Sequence, residues 1–303
     1  MNKSTLLPVI AISGIIFATT SYSAHIRDFQ TTRLNSTAGA GVASLLSTEA
    51  AILNPATSAY FEGNDASYQS YTTSIQKKNT LRDTNNDPFP KQNWSQGLFL
   101  SDSSSGIKGG VAYLTQKENQ YKRERTVLHG SAPMGPKSSL GVTYNFIQDE
   151  LPRGRKDRHR THHQLSIGFL RILDEATTVG FVLTDPTRTT PGQEKVLAGI
   201  QYQLASRFVI IGDMGATYTK NFSDNYVWRG ALQINVFDDF FIRAGRFHDN
   251  NLEAKGTGWG VSWIGPKLGV EFAQKTSEFY GKSSYLYQKE KLIDTSISAV
   301  IKF

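Results

Sequence analysis

Ile293-Asp294-Thr295-Ser296-Ile297-Ser298-Ala299-Val300-Ile301-Lys302-Phe303 is the stretch whose reading decides the fold. Side chains alternate faces along a strand. Ile293, Thr295, Ile297, Ala299, Ile301 and Phe303 therefore share one face. Asp294, Ser296, Ser298, Val300 and Lys302 share the other. Leu140, Val142, Tyr144 and Phe146 alternate in the same way with Ser139, Gly141, Thr143 and Asn145. Trp228, Leu232, Ile234 and Val236 stand against Arg229, Gln233 and Asn235, and Trp259, Val261 and Trp263 against Gly258, Gly260 and Ser262. Apolar and aromatic residues on one face, with small polar ones opposite, are the pattern of a wall between lipid and a wet lumen.

Working outward, such segments recur at about the length a tilted strand needs to cross a bilayer. The pattern predicts 14 strands, at 65–76, 93–102, 107–118, 122–132, 138–149, 162–172, 176–185, 194–204, 207–219, 225–236, 240–248, 256–264, 267–277 and 291–303. Tight turns near 103–106, 134–137, 174–175, 205–206, 238–239 and 265–266 alternate with longer polar connections at 77–92, 150–161, 186–193, 249–255 and 278–290. An even count returns the C-terminus to the side of the short turns, the periplasmic side of such proteins. The expectation is an all-β transmembrane antiparallel barrel, residues 64–303, in which the first strand pairs with the last. Hydrocarbon offers no partner to an open edge.

The start of the chain reads as an export signal over residues 1–23. Lys3 supplies the positive charge, Leu6 to Ala18 a short apolar stretch, and Ser21 and Ser23 small residues at cleavage spacing. Hydrophobic residues make up 39% of the chain and mean hydropathy is -0.36, so no later segment is a membrane helix. There is no cysteine, hence neither a disulfide framework nor a lipid-anchored cysteine. The formal charge of +7 would suit nucleic acid, but an exported barrel meets lipid phosphates instead. Outer-membrane lipids and lipopolysaccharide are the expected anionic partners, nucleic acid is not, and the barrel assembly machinery is expected to read the terminal Phe303.

Residues 24–63 do not alternate. They are rich in small residues and contain Ala38-Gly39-Ala40-Gly41-Val42-Ala43, then Glu49-Ala50-Ala51, then Asn54-Pro55-Ala56. Ser47, Thr48 and Glu49 are expected to open a short helix that ends before Pro55. This combination resembles the N-terminal hatch of the FadL-type outer-membrane transporters. The resemblance implies a 14-stranded barrel plugged by that hatch, without a cofactor, passing hydrophobic compounds such as long-chain fatty acids. Gly39, Gly41, Asn54, Pro55 and Ala56 would then be hatch residues on the ligand path. Proteins resembling the PorV type share the motif and imply the alternative, a carrier or scaffold in an envelope complex. A general porin is the third reading.

Other residues are singled out on chemistry. Asp213, Arg229, Arg243, Glu271, Lys275 and Asp294 are expected to face the lumen, because a charge deep on the lipid face costs roughly 2–4 kcal/mol. Arg153, Arg155, Lys156, Arg158 and Arg160 are expected in an extracellular basic loop against lipopolysaccharide phosphates or an anionic ligand. Gly109 and Gly110 mark a possible kink through which the wall opens sideways. His159, His162 and His163 lie among cations, which disfavours a metal. His129 and Ser131 are two apart on one strand face, and no Gly-x-Ser-x-Gly motif supports a hydrolase, so no enzyme activity is expected.

Overall fold

The structure, a computed structural model, describes residues 27–45, 47–77, 93–104, 106–118, 121–151, 158–190, 193–280 and 290–303. The export-signal reading of residues 1–23 lies outside them. Fourteen antiparallel strands form one closed barrel. They are β1 (Asp65–Lys77), β2 (Asn93–Asp102), β3 (Lys108–Glu118), β4 (Tyr121–Pro133), β5 (Ser138–Glu150), β6 (His159–Ile172) and β7 (Thr177–Thr184). The circuit continues through β8 (Lys195–Leu204), β9 (Phe208–Ala216), β10 (Tyr226–Phe237), β11 (Phe240–Asp249), β12 (Ala254–Ile264), β13 (Leu268–Phe279) and β14 (Glu290–Lys302).

Each strand pairs with its sequence neighbours, and β1 closes on β14 from Asp65↔Lys302 to Lys77↔Glu290. Beyond the ladder, Asn64 and Phe303 exchange backbone hydrogen bonds of 3.2 and 3.0 Å. The C-terminal residue thus extends the seam by one more pair.

Alternation decides which face each residue takes. Tyr68, Leu98, Tyr113, Tyr144, Phe181, Ile210, Trp228, Trp259 and Trp263 are exposed on the outer wall. Their in-between neighbours, such as Ser67, Gln69, Thr143, Asp213 and Ser262, are buried. A belt of exposed large apolar side chains around a closed barrel is a surface for hydrocarbon.

Some boundaries differ from the sequence reading. β9 ends at Ala216, short of 219, because the chain turns at Thr217–Lys220 into a short helix α1 (Phe222–Asn225) that leads directly into β10. β6 begins at His159, so Arg160 belongs to a strand and pairs across the ladder with Asp149. The ladder reaches further here because Leu151 N–H still donates to the Arg158 carbonyl. Gly109 and Gly110 lie in unbroken ladders with both β2 and β4, so no bulge forms there. A Cβ at either position would strike a neighbouring strand's carbonyl oxygen, that of His129 or Leu100, which is the local reason for glycine. Among the described strands a register shift occurs instead between Asn235 and Phe237, where β10 meets β11.

Candidate functional site: the lumen and the segment inside it

Residues 27–45 and 47–61 lie in the lumen, and their helices and 3-10 turn touch β1 to β6 and β11 to β14. The segment has little regular structure of its own: helices α2 (Thr32–Ser36) and α3 (Ser47–Ala50), and a 3-10 turn over Pro55–Tyr60. Thr31 caps α2 by accepting from Leu34 N–H at 3.1 Å. The helix opened by Ser47 does end before Pro55, and Pro55 then starts the 3-10 turn, where its missing N–H costs nothing.

Asn54-Pro55-Ala56 has a mechanical explanation. Pro55 holds Asn54 in extended geometry at φ -133° and ψ 103°. From there the Asn54 carboxamide works in two directions. Its Oδ1 accepts the Ala56 N–H at 3.1 Å and caps the turn. Its Nδ2 donates to the Val42 carbonyl at 2.7 Å and to the Phe169 carbonyl of β6 at 3.3 Å. One side chain thereby ties the turn, the glycine-rich stretch and the wall together. Ser139 Oγ of β5 adds a bond to the Ala56 carbonyl at 2.7 Å.

Five of the six lumen charges named from the sequence bond this segment directly, and the sixth, Arg243, flanks Glu271, which does. Asp213 accepts the Gly41 N–H at 2.7 Å and the Val42 N–H at 3.2 Å. Arg229 donates to the Gly39 carbonyl at 2.9 Å. That carbonyl is presented by a residue at φ +90°, which glycine adopts without strain. Glu271 accepts from Arg33 at 2.5 Å and lies 3.6 Å from Arg243. Arg243 also reaches Ser262 and, at 2.7 Å, Gln233. Lys275 donates to Gln30 at 2.7 Å, and Asp294 accepts from Arg27 at 2.9 Å. Arg27 is held as well by Glu118 at 2.9 Å and Thr73 at 2.8 Å.

Within the segment, burial holds the Glu49 carboxyl above its ordinary range; Arg33, 3.7 Å away, opposes that and Glu271 reinforces it. Thr31 Oγ1 donates to Glu49 at 2.5 Å. Phe29 packs on Tyr71 and Phe99, with ring centroids at 5.7 and 6.1 Å.

The wall also yields by omission. A Cβ at Gly168 would collide with Asn54 Oδ1, at Gly141 with Pro55 and Ala56, at Gly180 with the Val42 carbonyl, at Gly245 with Thr37, and at Gly258 with the Asn35 carbonyl. These glycines let main chain lie directly on the wall. Sequence reasoning named two of them as inward-facing but not their purpose, and it passed over Arg27 and Glu118. A period-two list of inward glycines would have flagged the former.

The remaining candidates lie elsewhere. Arg153, Arg155 and Lys156 fall outside the described residues. Arg158 pairs with Glu150 at the rim. His129 Nδ1 is 3.3 Å from Ser58 Oγ of the inner segment, while Ser131 Oγ bonds the Lys108 carbonyl at 3.4 Å. Among the described residues no cluster of three metal-ligating side chains forms.

No protein-family model and no curated protein matches the chain. Solved structures do. The CymD monoaromatic hydrocarbon channel is 14% identical at a TM-score of 0.69, covering 90% of this chain and 97% of that one. The Ralstonia pickettii toluene transporter TbuX is 11% identical at 0.70, covering 91% and 98%. A Pseudomonas aeruginosa FadL homologue is 13% identical at 0.60, covering 90% and 98%. At these identities the likeness establishes a shared fold.

Proposed function

We propose that this chain is a passive outer-membrane channel for small hydrophobic molecules. In this reading residues 1–23 export it, residues 24–63 form a hatch, and residues 64–303 form the barrel. The observation that carries the proposal is the way the lumen is closed. The chain's own N-terminal segment fills it, and hydrogen bonds, ion pairs and close packing hold that segment in place. A plug so held can shift without any covalent change, which suits a gate. The fold shared with proteins described as hydrocarbon and toluene channels supports the same reading. Monoaromatic hydrocarbons and long-chain fatty acids are both candidate cargoes. Lipopolysaccharide is the proposed neighbour on the outer rim.

One observation favours a second reading, a carrier or scaffold that transports nothing. Two of the cavities beside the segment are small, about 90 and 80 Å³, a third at Arg33 and Glu271 is about 270 Å³, and charged groups share the lining of all three. Uptake decides between the two. Cells expressing this chain in place of their own hydrocarbon channel should accumulate labelled toluene or palmitate faster than cells without it. A variant lacking residues 54–56 should change that rate. Equal rates with and without the protein would favour the scaffold.

A further inference from the structure

The outer wall carries a cluster of its own, on β10 to β13 at the ends away from their short turns. Five rings lie together there. His248 of β11 stands at the centre, stacked on Trp228 and Tyr280 with centroids at 6.3 and 5.8 Å, and 5.9 Å from Tyr226. Phe222 of α1 stacks on Tyr226 at 6.2 Å. Asn250 ties the cluster at its edge, 2.7 Å from His248 Nε2 and accepting from the Tyr280 hydroxyl at 3.2 Å. Phe222, Trp228 and Tyr280 remain exposed.

Two cations flank the rings on the same outward face. Arg246 precedes His248 by two residues on β11, and Lys255 of β12 is the ladder partner of His248. Both are exposed. The ladder partners of Arg246 are Gly230 and Thr257, so neither neighbouring strand offers it a carboxylate at that level. Glu278, across the ladder from Lys255, is the single carboxylate at the outward positions of this patch among the described residues. One row further from the rim the wall is apolar, with Leu232, Ala244 and Trp259 in register.

A charge on the lipid face is cheap only near the interface, where headgroups can meet it. The planar fork of an arginine matches two phosphate oxygens, and a lysine beside it adds a second positive charge. Aromatic faces supply rigid, flat contact area on which the C–H face of a sugar ring can lie. We infer that this patch is a binding site for the phosphorylated sugar headgroup of an outer-leaflet glycolipid, lipopolysaccharide. The phosphate sits on Arg246 and Lys255, a sugar ring on Trp228 and Tyr280, and an acyl chain along Leu232 and Trp259. A glycerophospholipid would leave the rings unused, and a neutral sugar would leave the cations unused. The inference gives the proposed outer-rim neighbour a site; it rests on the outer-membrane placement in that reading and not on transport.

The test is native mass spectrometry of the detergent-solubilised full chain in micelles containing lipid A, lipid A stripped of its phosphates, or phosphatidylglycerol. Lipid A is expected to bind roughly 10-fold more tightly than either of the others. Arg246→Gln with Lys255→Gln should erase its advantage over the stripped lipid. Trp228→Ala with Tyr280→Ala should erase its advantage over phosphatidylglycerol. Lys117→Gln with Lys122→Gln removes two ladder-paired cations from β3 and β4 and should change neither. These side chains lie on the outer wall, so every variant should keep the barrel folded, which heat-dependent gel migration checks. Phosphatidylglycerol binding as tightly as lipid A by the native chain overturns the inference. So does an advantage over the stripped lipid that survives loss of Arg246 and Lys255, or that falls equally when Lys117 and Lys122 are replaced. Toluene uptake separates this site from the channel reading: lipid A preference without uptake would retain the site and sink the channel. Uptake without lipid A preference would do the reverse.

Discussion

The two sides of the lumen hold the inner segment by opposite means. Along β5, β6 and β7 the wall withdraws. Gly141, Gly168 and Gly180 leave room for the backbone around Pro55, Asn54 and Val42, and a few neutral hydrogen bonds finish the contact. Along β13, β14 and β1 the wall reaches inward. Glu271, Lys275, Asp294 and Thr73 extend side chains to Arg33, Gln30 and Arg27. The first contact depends on shape and should tolerate no added bulk. The second depends on charge and should be tunable residue by residue.

The comparison can be broken from either side. Glu271→Ala has the largest expected effect. It strips Arg33 and Arg243 of their shared carboxylate, and losing one partner of a buried pair costs about 3–5 kcal/mol. Protease cleavage at Arg33 should become fast while the barrel stays folded. On the opposite side, Gly168→Ala places a Cβ on Asn54 Oδ1 and should cost about 1–3 kcal/mol by overpacking. Its signature is greater ion conductance in a planar bilayer, insensitive to salt-dependent screening. Asp213→Asn weakens the charged bonds to the Gly41 and Val42 amides, and should cost about 1.5–3 kcal/mol. Hydrogen exchange at those two amides measures it, and unchanged protection would remove Asp213 from the account.

The smallest effect is a pH dependence. Glu49 is held above its ordinary value of 4.5, chiefly by burial, so the docked segment retains a proton that the free one has lost. That contribution is complete below pH 4.5 and fades as pH rises through the raised value. Protease protection of the segment should therefore decline with rising pH, and Glu49→Gln should flatten the profile. Protection that instead grows with pH would contradict the assignment.

The barrel was legible in the sequence because it follows from period two. Each strand carries its own alternation, and Ile293 to Phe303 alone announces a lipid face and a lumen face. The inward charges were legible for the same reason. Their targets were not. Whether Asp294 meets Arg27, or Asp213 meets Gly41, depends on how far the segment climbs inside the lumen, and no local pattern records that. Loop-like composition also misplaced Arg160, where pairing with Asp149 extends β6 beyond the polar run. Gly109 and Gly110 illustrate a third limit: the glycines meet a local need for close backbone approach, while the ladder stays in register.

The central claim is that solute passes only when the segment moves. It can be tested by a lock across the shape-held side, where Ser139 already touches Ala56 at 2.7 Å. The chain contains no cysteine, so the pair Ala56→Cys and Ser139→Cys introduces the only thiols. Toluene uptake should fall to the level of cells without the protein when the pair is oxidised, and return on reduction. Uptake that continues unchanged through a fully formed crosslink would contradict the account.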